Sequence, residues 1–202
     1  MKRALAILAG VAVALALAAL AVFVARPLRT LEVLGRSTLR ASGFRKSTLA
    51  APKGPLTFFA AGSGPALVLL HGVNDQAGAW ARVAKPLAAG RRVVIPDLPG
   101  HGESAPREGP LTVADVLAGV DALVAAESAA GPVDLVGNSM GGWIALLVAR
   151  DRPDAVRRVV LVNGAAIRGP DRGVRLLPRT REEAKASIDA TFGPRGRDVP
   201  GF

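Results

Sequence analysis

Short apolar runs alternate with longer stretches of helical periodicity along the middle of the chain. The runs at 66–70 (ALVLL) and 159–162 (VVLV) contain no polar residue, which is typical of strands buried on both faces of a parallel sheet. The predicted strands are 56–60, 66–70, 92–95, 133–136 and 159–162, and the predicted helices are 80–89, 113–128 and 139–150. Thr112, with Asp115 three residues later, is a predicted N-cap. This order predicts an α/β fold with a mostly parallel sheet and flanking helices.

The N-terminal pattern is different, because residues 4–25 form an uncharged run of 22 residues. As a helix this run would be about 33 Å long, which is enough to cross a hydrocarbon core of about 30 Å. We expect a single-pass transmembrane helix within 1–25 that anchors the protein to a membrane. The alternative is a cleaved signal peptide and a secreted protein, since small-x-small sites such as Ala19-Leu20-Ala21 are present. The side of the membrane is left open.

The excess of positive charge lies outside the predicted sheet. The chain has 202 residues, with 26 Lys and Arg against 16 Asp and Glu, but residues 54–149 hold five basic and eight acidic groups. Residues 26–53 hold seven basic groups and one acidic group, so we interpret 26–54 as a basic juxtamembrane linker that faces anionic headgroups or solvent. The sequence has no nucleic-acid recognition motif and no Tyr, so we expect no nucleic-acid partner.

Two residue types restrict the chemistry that this chain can carry. The absence of Cys excludes a disulfide scaffold and a Cys-based zinc or thiol site. His71 and His101 are the only histidines. We expect no metal and no organic cofactor, and the oligomeric state is left open.

The clearest chemical motif is Gly137-Asn-Ser-Met-Gly141, which follows a predicted strand and opens a predicted helix. A sharp strand-to-helix turn exposes the central Ser139 hydroxyl and needs small residues two positions to either side, where backbone segments come close. The first N–H groups of the new helix point at the same space and favour a developing oxyanion. Ser139 is therefore the predicted nucleophile, and the Met140 N–H is one oxyanion donor.

Two further motifs follow strands that end at the same edge of the predicted sheet, where ligands bind in such folds. In the first, His71-Gly72-Val73, the Val73 N–H is the second predicted oxyanion donor. The second is Asp97-Leu-Pro-Gly-His-Gly-Glu-Ser104, a tight Gly-rich loop. We interpret His71, Asp97 and His101 as residues that hold their loops rather than as catalytic groups.

Together these motifs, with the strand that ends at Asn163, resemble the α/β-hydrolase fold superfamily in order and spacing over about residues 55–165. The resemblance implies that Ser139 is the nucleophile position and that Val73 and Met140 are the oxyanion-hole positions. A serine at the turn disfavours the aspartate-nucleophile branches. Asn138 beside Ser139 is similar to carbon–carbon bond hydrolases, while carboxylesterase, lipase-like and thioesterase roles remain equally open.

The acid and the histidine that the resemblance implies after the nucleophile have no recognisable counterpart in the sequence. The resemblance implies the chain order Ser, then Asp or Glu, then His, and no histidine follows Ser139. Residues 55–164 are the predicted N-terminal part of the hydrolase core. Residues 165–202 are predicted to begin a lid, with a capping box at 180–183 and a helix to about Phe192. We therefore expect an incomplete fold, cut short within the lid, in which Ser139 is not activated.

Two functions follow as hypotheses. The first is a membrane-anchored serine hydrolase by descent, acting on an ester-type or related acyl or carbon–carbon bond in a small or lipid-like substrate. The second is a non-catalytic binding protein, or a pseudogene product, that retains the sheet. A relocated base at His101 is a third idea, which the His101→Ala variant tests.

Overall fold

The computed structural model describes residues 2–164, 180–183 and 185–186. Residues 2–164 form six strands and five α-helices, and residues 181–183 and 185–186 are helical. The strands are β1 (Arg45–Leu49), β2 (Leu56–Ala61), β3 (Ala66–Leu70), β4 (Arg92–Pro96), β5 (Val133–Asn138) and β6 (Val156–Val162). The helices are α1 (Lys2–Ala25), α2 (Pro27–Ala41), α3 (Ala81–Leu87), α4 (Val113–Glu127) and α5 (Met140–Asp151), with 3-10 helices at Ala77–Trp80 and Ser128–Ala130. The chain divides into two compact units, Met1–Ala166 and Ile167–Phe202.

The strands form one sheet in the order β1-β2-β4-β3-β5-β6. β3 pairs in parallel with β4 and β5, β5 pairs in parallel with β6, and β2 pairs antiparallel with β1 and β4. In the register of the central pair, Leu70 lies opposite Gly137. The loops that leave β3 and β5 therefore begin side by side, at the carboxyl edge of the sheet.

Helices cover both faces of the sheet, as the predicted α/β fold requires. Every residue of β3 is buried, because its alternate side chains enter two different apolar clusters. Val68 and Leu70 pack with residues of α4 and α5 such as Val120 and Ile144. On the other face, residues of α2 and α3 pack against β2, β3 and β4. The buried apolar residues of this second cluster include Leu39, Phe59, Leu67, Leu69, Ala81, Ala84 and Ile95.

The predicted strands and helices of this core are confirmed, with bounds that differ by a few residues. The expectation that the run at 159–162 is buried on both faces is wrong, because β6 ends the strand order of the sheet and is mostly exposed. β3 has the predicted bounds, and Thr112 and Asp115 form the predicted capping box at the start of α4. The largest difference in bounds is at β6, which begins three residues earlier than predicted. At 80–89, a 3-10 helix comes first and α3 begins at Ala81. The Gln76 side chain accepts a hydrogen bond from the Gly78 N–H, which stabilises this tighter turn.

The structure corrects the interpretation of residues 26–54 as a linker, because they contain α2 and β1. The docked face of α2 runs along Glu32, Gly35, Arg36 and Leu39, and Leu39 is fully buried. The apolar positions that the sequence shows, Leu28, Leu31 and Leu34, are exposed in the structure, so they do not mark the face of α2 that the sheet buries. β1 is the edge strand of the sheet and is mostly exposed, so it lacks the alternation of a half-buried strand.

The apolar N-terminal run forms the single helix α1. Its segment Ile7–Ala25 has a mean hydropathy of 2.9 and is long and apolar enough to cross a membrane, a test that a signal sequence also passes. Backbone hydrogen bonds continue past its end, from Arg26 N–H to Val22 O at 2.9 Å and from Thr30 N–H to Arg26 O at 3.0 Å. α2 therefore follows α1 after a single non-helical residue.

Most of the predicted lid, residues 165–202, lies outside the described residues, and so does the predicted helix end near Phe192. Within the second unit, the Thr180 hydroxyl accepts a hydrogen bond from the Glu183 N–H at 3.1 Å. This bond is one half of the predicted capping box.

Candidate active site

Ser139 occupies the turn between β5 and α5 in a strained backbone conformation. Its φ of 50° and ψ of −116° lie outside the regions that non-glycine residues normally adopt, at a cost of about 1–3 kcal/mol. The surrounding backbone holds it there. Its N–H donates to Val162 O at 3.0 Å, and its carbonyl accepts from the N–H groups of Gly142 and Trp143. The half-buried Ser139 hydroxyl makes no hydrogen bond to any described residue.

The two glycines that flank Ser139 are explained by close backbone contacts. A Cβ at Gly137 would collide with the carbonyl of Gly141. A Cβ at Gly141 would collide with the carbonyl of Leu70 and lie 2.6 Å from that of His71. Glycine is therefore required at both positions, because the turn packs tightly on itself and against the end of β3.

The amino end of α5 supplies hydrogen-bond donors beside this serine. Ser139 O already accepts from the Gly142 and Trp143 N–H groups. The N–H groups of Met140 and Gly141, in the first turn, have no carbonyl partner within the helix. With the positive end of the helix dipole, they favour a negative charge at this position.

The loop after β3 lies against the same turn. A Cβ at Gly72 would be 3.3 Å from Ser139 Cβ and 3.5 Å from the Asn138 side-chain nitrogen. A side chain at position 72 would therefore press against Ser139, so the backbone that leads to Val73 lies beside this turn. The structure brings together the three segments that carry the predicted nucleophile and the two predicted oxyanion donors.

His71 is fully buried, and both of its ring nitrogens are engaged. Nδ1 lies 2.7 Å from Gly72 O, which can only accept, so Nδ1 carries the proton. Nε2 then accepts the Leu98 N–H at 2.9 Å. Burial lowers the pKa of His71 to about 4, which keeps the ring neutral. The prediction that His71 holds its loop is confirmed.

Asp97 follows β4 at the same edge of the sheet and is also fully buried. Its carboxylate accepts the N–H of Ala77 at 2.7 Å and the N–H of Glu103 at 2.8 Å. The Arg36 guanidinium lies 3.5 Å away. These contacts confirm that Asp97 stabilises its loop.

His101 is half-buried in the Asp97 loop. Its Nδ1 lies 3.0 Å from Pro99 O, and its ring meets the ring of His71 edge-on at 5.3 Å between centroids. Both contacts fit the predicted loop-holding role. Among the described residues, no histidine or carboxylate forms a hydrogen bond with the Ser139 hydroxyl.

Two buried polar residues near this edge were missed by the sequence analysis. Gln76 caps the 3-10 helix, and Arg36 reaches the Asp97 carboxylate from α2. Gln76 is not among the residue types that usually cap a helix, and nothing local marks Arg36 as buried. Within the described part of the chain, no group of three His, Asp or Glu residues could hold a metal ion.

Comparisons with known proteins identify the family of this chain. The family model of the alpha/beta hydrolase fold matches residues 65–193. A pimeloyl-acyl-carrier-protein methyl ester esterase of Chromobacterium violaceum is 40% identical over 131 residues, which are 64% of this chain and 46% of that protein. Lipase LipV of Mycobacterium tuberculosis is 42% identical over 104 residues, which are 51% of this chain and 39% of that protein.

A solved structure extends the similarity toward the N-terminus. A membrane phospholipase A, described as a bacterial virulence factor, superposes with a TM-score of 0.66 at 29% identity, covering 94% of this chain and 64% of that one. The chain spans less than half the length of the two curated relatives named above.

Proposed function

Because the chain belongs to the alpha/beta hydrolase fold family, we propose that it is a serine hydrolase that cleaves an ester-type or related acyl bond with Ser139 as nucleophile. The observation that carries this proposal is the strained turn at Ser139, with a hydroxyl that no described residue engages. Backbone strain is costly for folding and is typical of functional sites. The esterase and lipase relatives support an ester bond, while a 2-hydroxymuconate semialdehyde hydrolase, 38% identical over 117 residues, keeps a carbon–carbon bond as the alternative.

In the proposed reaction, Ser139 Oγ forms a bond to the carbonyl carbon of the substrate while the hydroxyl proton passes to a base. The π electrons of the carbonyl move to its oxygen, and the Val73 and Met140 N–H groups stabilise that oxyanion. Collapse of this intermediate expels the protonated alcohol and leaves an acyl-Ser139, which water then hydrolyses.

The base is the part that residues 1–202 do not supply at the expected position. Both histidines precede Ser139, and His71 uses both ring nitrogens within the fold. We therefore propose that these residues alone hold a nucleophile and oxyanion donors without an activating base. Loss of triad members lowers the rate by several orders of magnitude, while binding and the oxyanion hole sustain residual catalysis.

The proposed substrate is a small or lipid-like ester, reached from a membrane through an anchor at α1. The apolar segment Ile7–Ala25 and the basic residues that follow it support an anchor, as does the similarity to a membrane phospholipase A over nearly the whole chain. The intact mass of the protein purified from its native membranes tests this point. A mass that includes Met1–Ala25 supports an anchor, and a mass that lacks this segment supports a cleaved signal.

A direct test of the nucleophile uses residues 1–202 in lipid nanodiscs, with Ser139→Ala as control. We expect slow labelling of Ser139 by a fluorophosphonate and slow hydrolysis of p-nitrophenyl butyrate, both absent in Ser139→Ala. Added imidazole, as an external base, is expected to raise the Ser139-dependent rate.

Each outcome of this test discriminates between the hypotheses. Equal hydrolysis by Ser139→Ala would overturn the nucleophile. Rapid labelling without imidazole would overturn the statement that Ser139 lacks a base, and loss of that labelling in His101→Ala would assign the base to His101. No labelling even with imidazole would favour the non-catalytic binding protein.

A further inference from the structure

Helix α2 meets the 3-10 helix Ala77–Trp80 backbone to backbone. A Cβ at Gly35 would lie 2.9 Å from Gly78 O and 3.0 Å from Gly78 Cα. A Cβ at Gly78 would in turn lie 2.9 Å from Gly35 C. Two glycines therefore face each other at a contact that admits no side chain on either, and α2 fixes the position of the 3-10 helix.

Arg36, the next residue of α2, adds a charged contact to the same region. Its side chain is 11% exposed, and its guanidinium lies 3.5 Å from the Asp97 carboxylate and 3.6 Å from that of Glu103. Asp97 accepts the Ala77 N–H, at the start of the 3-10 helix. Arg36 thus acts on this segment through Asp97, and its Nε and Nη2 make no hydrogen bond among the described residues.

The segment held in this way leads directly to the proposed oxyanion donor. Gln76 accepts the Gly78 N–H at 2.7 Å through its side chain and the Ala79 N–H at 3.0 Å through its carbonyl. Asp75 accepts the Gln76 N–H at 2.9 Å. Asn74 adopts a φ of 58°, which turns the chain sharply after Val73. A short, internally bonded segment therefore joins the α2 contact to Val73.

We propose that Gly35 and Arg36 are positioning residues for the hydrolytic site, which hold the segment 74–80 so that the Val73 N–H points at the oxyanion. This inference rests on the proposed function, because it gives α2 a role in that reaction. Neither residue touches the substrate. The helix that follows the membrane anchor is therefore part of what shapes the active site.

The size of the expected effect follows from the geometry of oxyanion stabilisation. Removing one oxyanion donor lowers kcat by about 10²–10³-fold, and a misplacement of about 1 Å lowers the rate by about 100-fold. The hydrogen bond from the Val73 N–H to the oxyanion forms only in the transition state, so its loss lowers kcat and leaves KM nearly unchanged.

The test compares two valines placed on the same helix. Gly35→Val puts a branched side chain against the Gly78 backbone, whereas Ser37→Val places it at an exposed position of α2. Ser139-dependent hydrolysis of p-nitrophenyl butyrate is measured with imidazole present, on the chain in nanodiscs. We expect Gly35→Val to lower kcat by about 10–100-fold with KM within about twofold, and Ser37→Val to change neither.

Milder variants keep the test decisive if Gly35→Val fails to fold. Gly35→Ala and Arg36→Met are expected to lower kcat in the same way, and Arg36→Lys, which keeps the charge, is expected to restore part of it. Hydrogen exchange should be faster at residues 73–80 in the impaired variants and unchanged in β5.

The possible failures are distinguishable. If the unsubstituted chain shows no Ser139-dependent hydrolysis, the proposed function fails and this inference fails with it. If the unsubstituted chain is active and the folded variants of Gly35 and Arg36 match Ser37→Val in kcat, only the positioning role is overturned.

Discussion

Two loops follow strands that end at the same edge of the sheet, and they differ in how their polar side chains are hydrogen-bonded. After β5, Ser139 sits in a strained conformation with a hydroxyl that bonds to no described residue. After β4, the loop from Asp97 to Ser104 buries both side chains with full sets of partners. Both loops are rich in glycine and both are tight, so composition alone does not separate them.

The difference shows how a polar residue at a strand end reveals its role. A group whose hydrogen bonds are all satisfied inside the protein stabilises the fold, as Asp97 does. A group that the fold holds in strain without a partner is kept available for another molecule, which is the role we propose for Ser139. The following predictions test this contrast, beginning with the largest expected effect on stability.

Asp97→Ala is expected to lower the free energy of unfolding by about 3–5 kcal/mol, since it removes the buried carboxylate that lies 3.5 Å from the Arg36 guanidinium and leaves two amides without acceptors. Ser139→Ala removes no hydrogen bond among the described residues and is expected to change stability by less than about 0.5 kcal/mol. Urea unfolding of the two variants and the unsubstituted chain, all in one detergent, measures both changes in stability. Similar losses in the two variants would abolish the contrast.

The burial of His71 predicts that the fold loses stability in acid. Because burial lowers the pKa of His71 from 6.5 to about 4, the folded state binds fewer protons than the unfolded state between these values. Stability is therefore complete above pH 6.5 and decreases as the pH falls to about 4, by about 3 kcal/mol in total.

Unfolding curves at several pH values measure this slope. His71→Gln is expected to lack it, and His101→Gln, the matched control, is expected to retain it. If the pH dependence of stability disappears only in His101→Gln, the acid sensitivity comes from His101 and the prediction for His71 is wrong.

The close packing next to Ser139 predicts that alanine destabilises the fold more at Gly141 than at Gly142. Gly141→Ala forces a Cβ against the Leu70 and His71 carbonyls and is expected to cost about 1–3 kcal/mol. Gly142→Ala meets its nearest atoms at 3.1 Å and is expected to cost less. Thermal unfolding ranks the two, and the reverse order would contradict the packing described for this turn.

The smallest expected effect concerns the two serines. Ser139→Gly relieves the positive φ and is expected to raise stability by about 1 kcal/mol while it abolishes hydrolysis. Ser104→Gly is expected to lower stability, because the buried Ser104 hydroxyl accepts the Thr57 N–H at 2.8 Å and donates to Asp97 O at 2.6 Å. Two serine-to-glycine changes should thus have opposite signs in chemical denaturation, and the same sign in both would refute the contrast.

The elements that the sequence predicts well are those whose patterns reflect local constraints. β3 is buried on both faces, so its five apolar residues mark its limits without further information. The turn at Ser139 is visible because backbone collisions require glycine at positions 137 and 141. Thr112 and Asp115 cap α4 through contacts that are only three residues apart.

The parts that the sequence missed depend on partners far away in the chain. Arg36 is buried only because Asp97 and Glu103 lie opposite it, and Gly35 matters only because Gly78 reaches the same point. The leucines that the sequence shows on α2 are exposed, and the residues through which α2 docks carry no local pattern, so the sequence indicates a linker. The general position of the site could be predicted, but its connection to the N-terminal helices required the fold.

The junction between α1 and α2 has a consequence for how substrate is found. One residue separates the helices, and Gly35 is only nine positions beyond Arg26, at most about 14 Å along a helix. With α1 inserted in a bilayer, as we propose, Gly35 and the 3-10 helix that it contacts would lie within about 14 Å of the end of the membrane span, and the proposed site would face the lipid surface at close range. Amphiphiles that diffuse laterally in that leaflet would then encounter it repeatedly, whereas solutes in bulk water would meet it at the ordinary frequency of three-dimensional collisions.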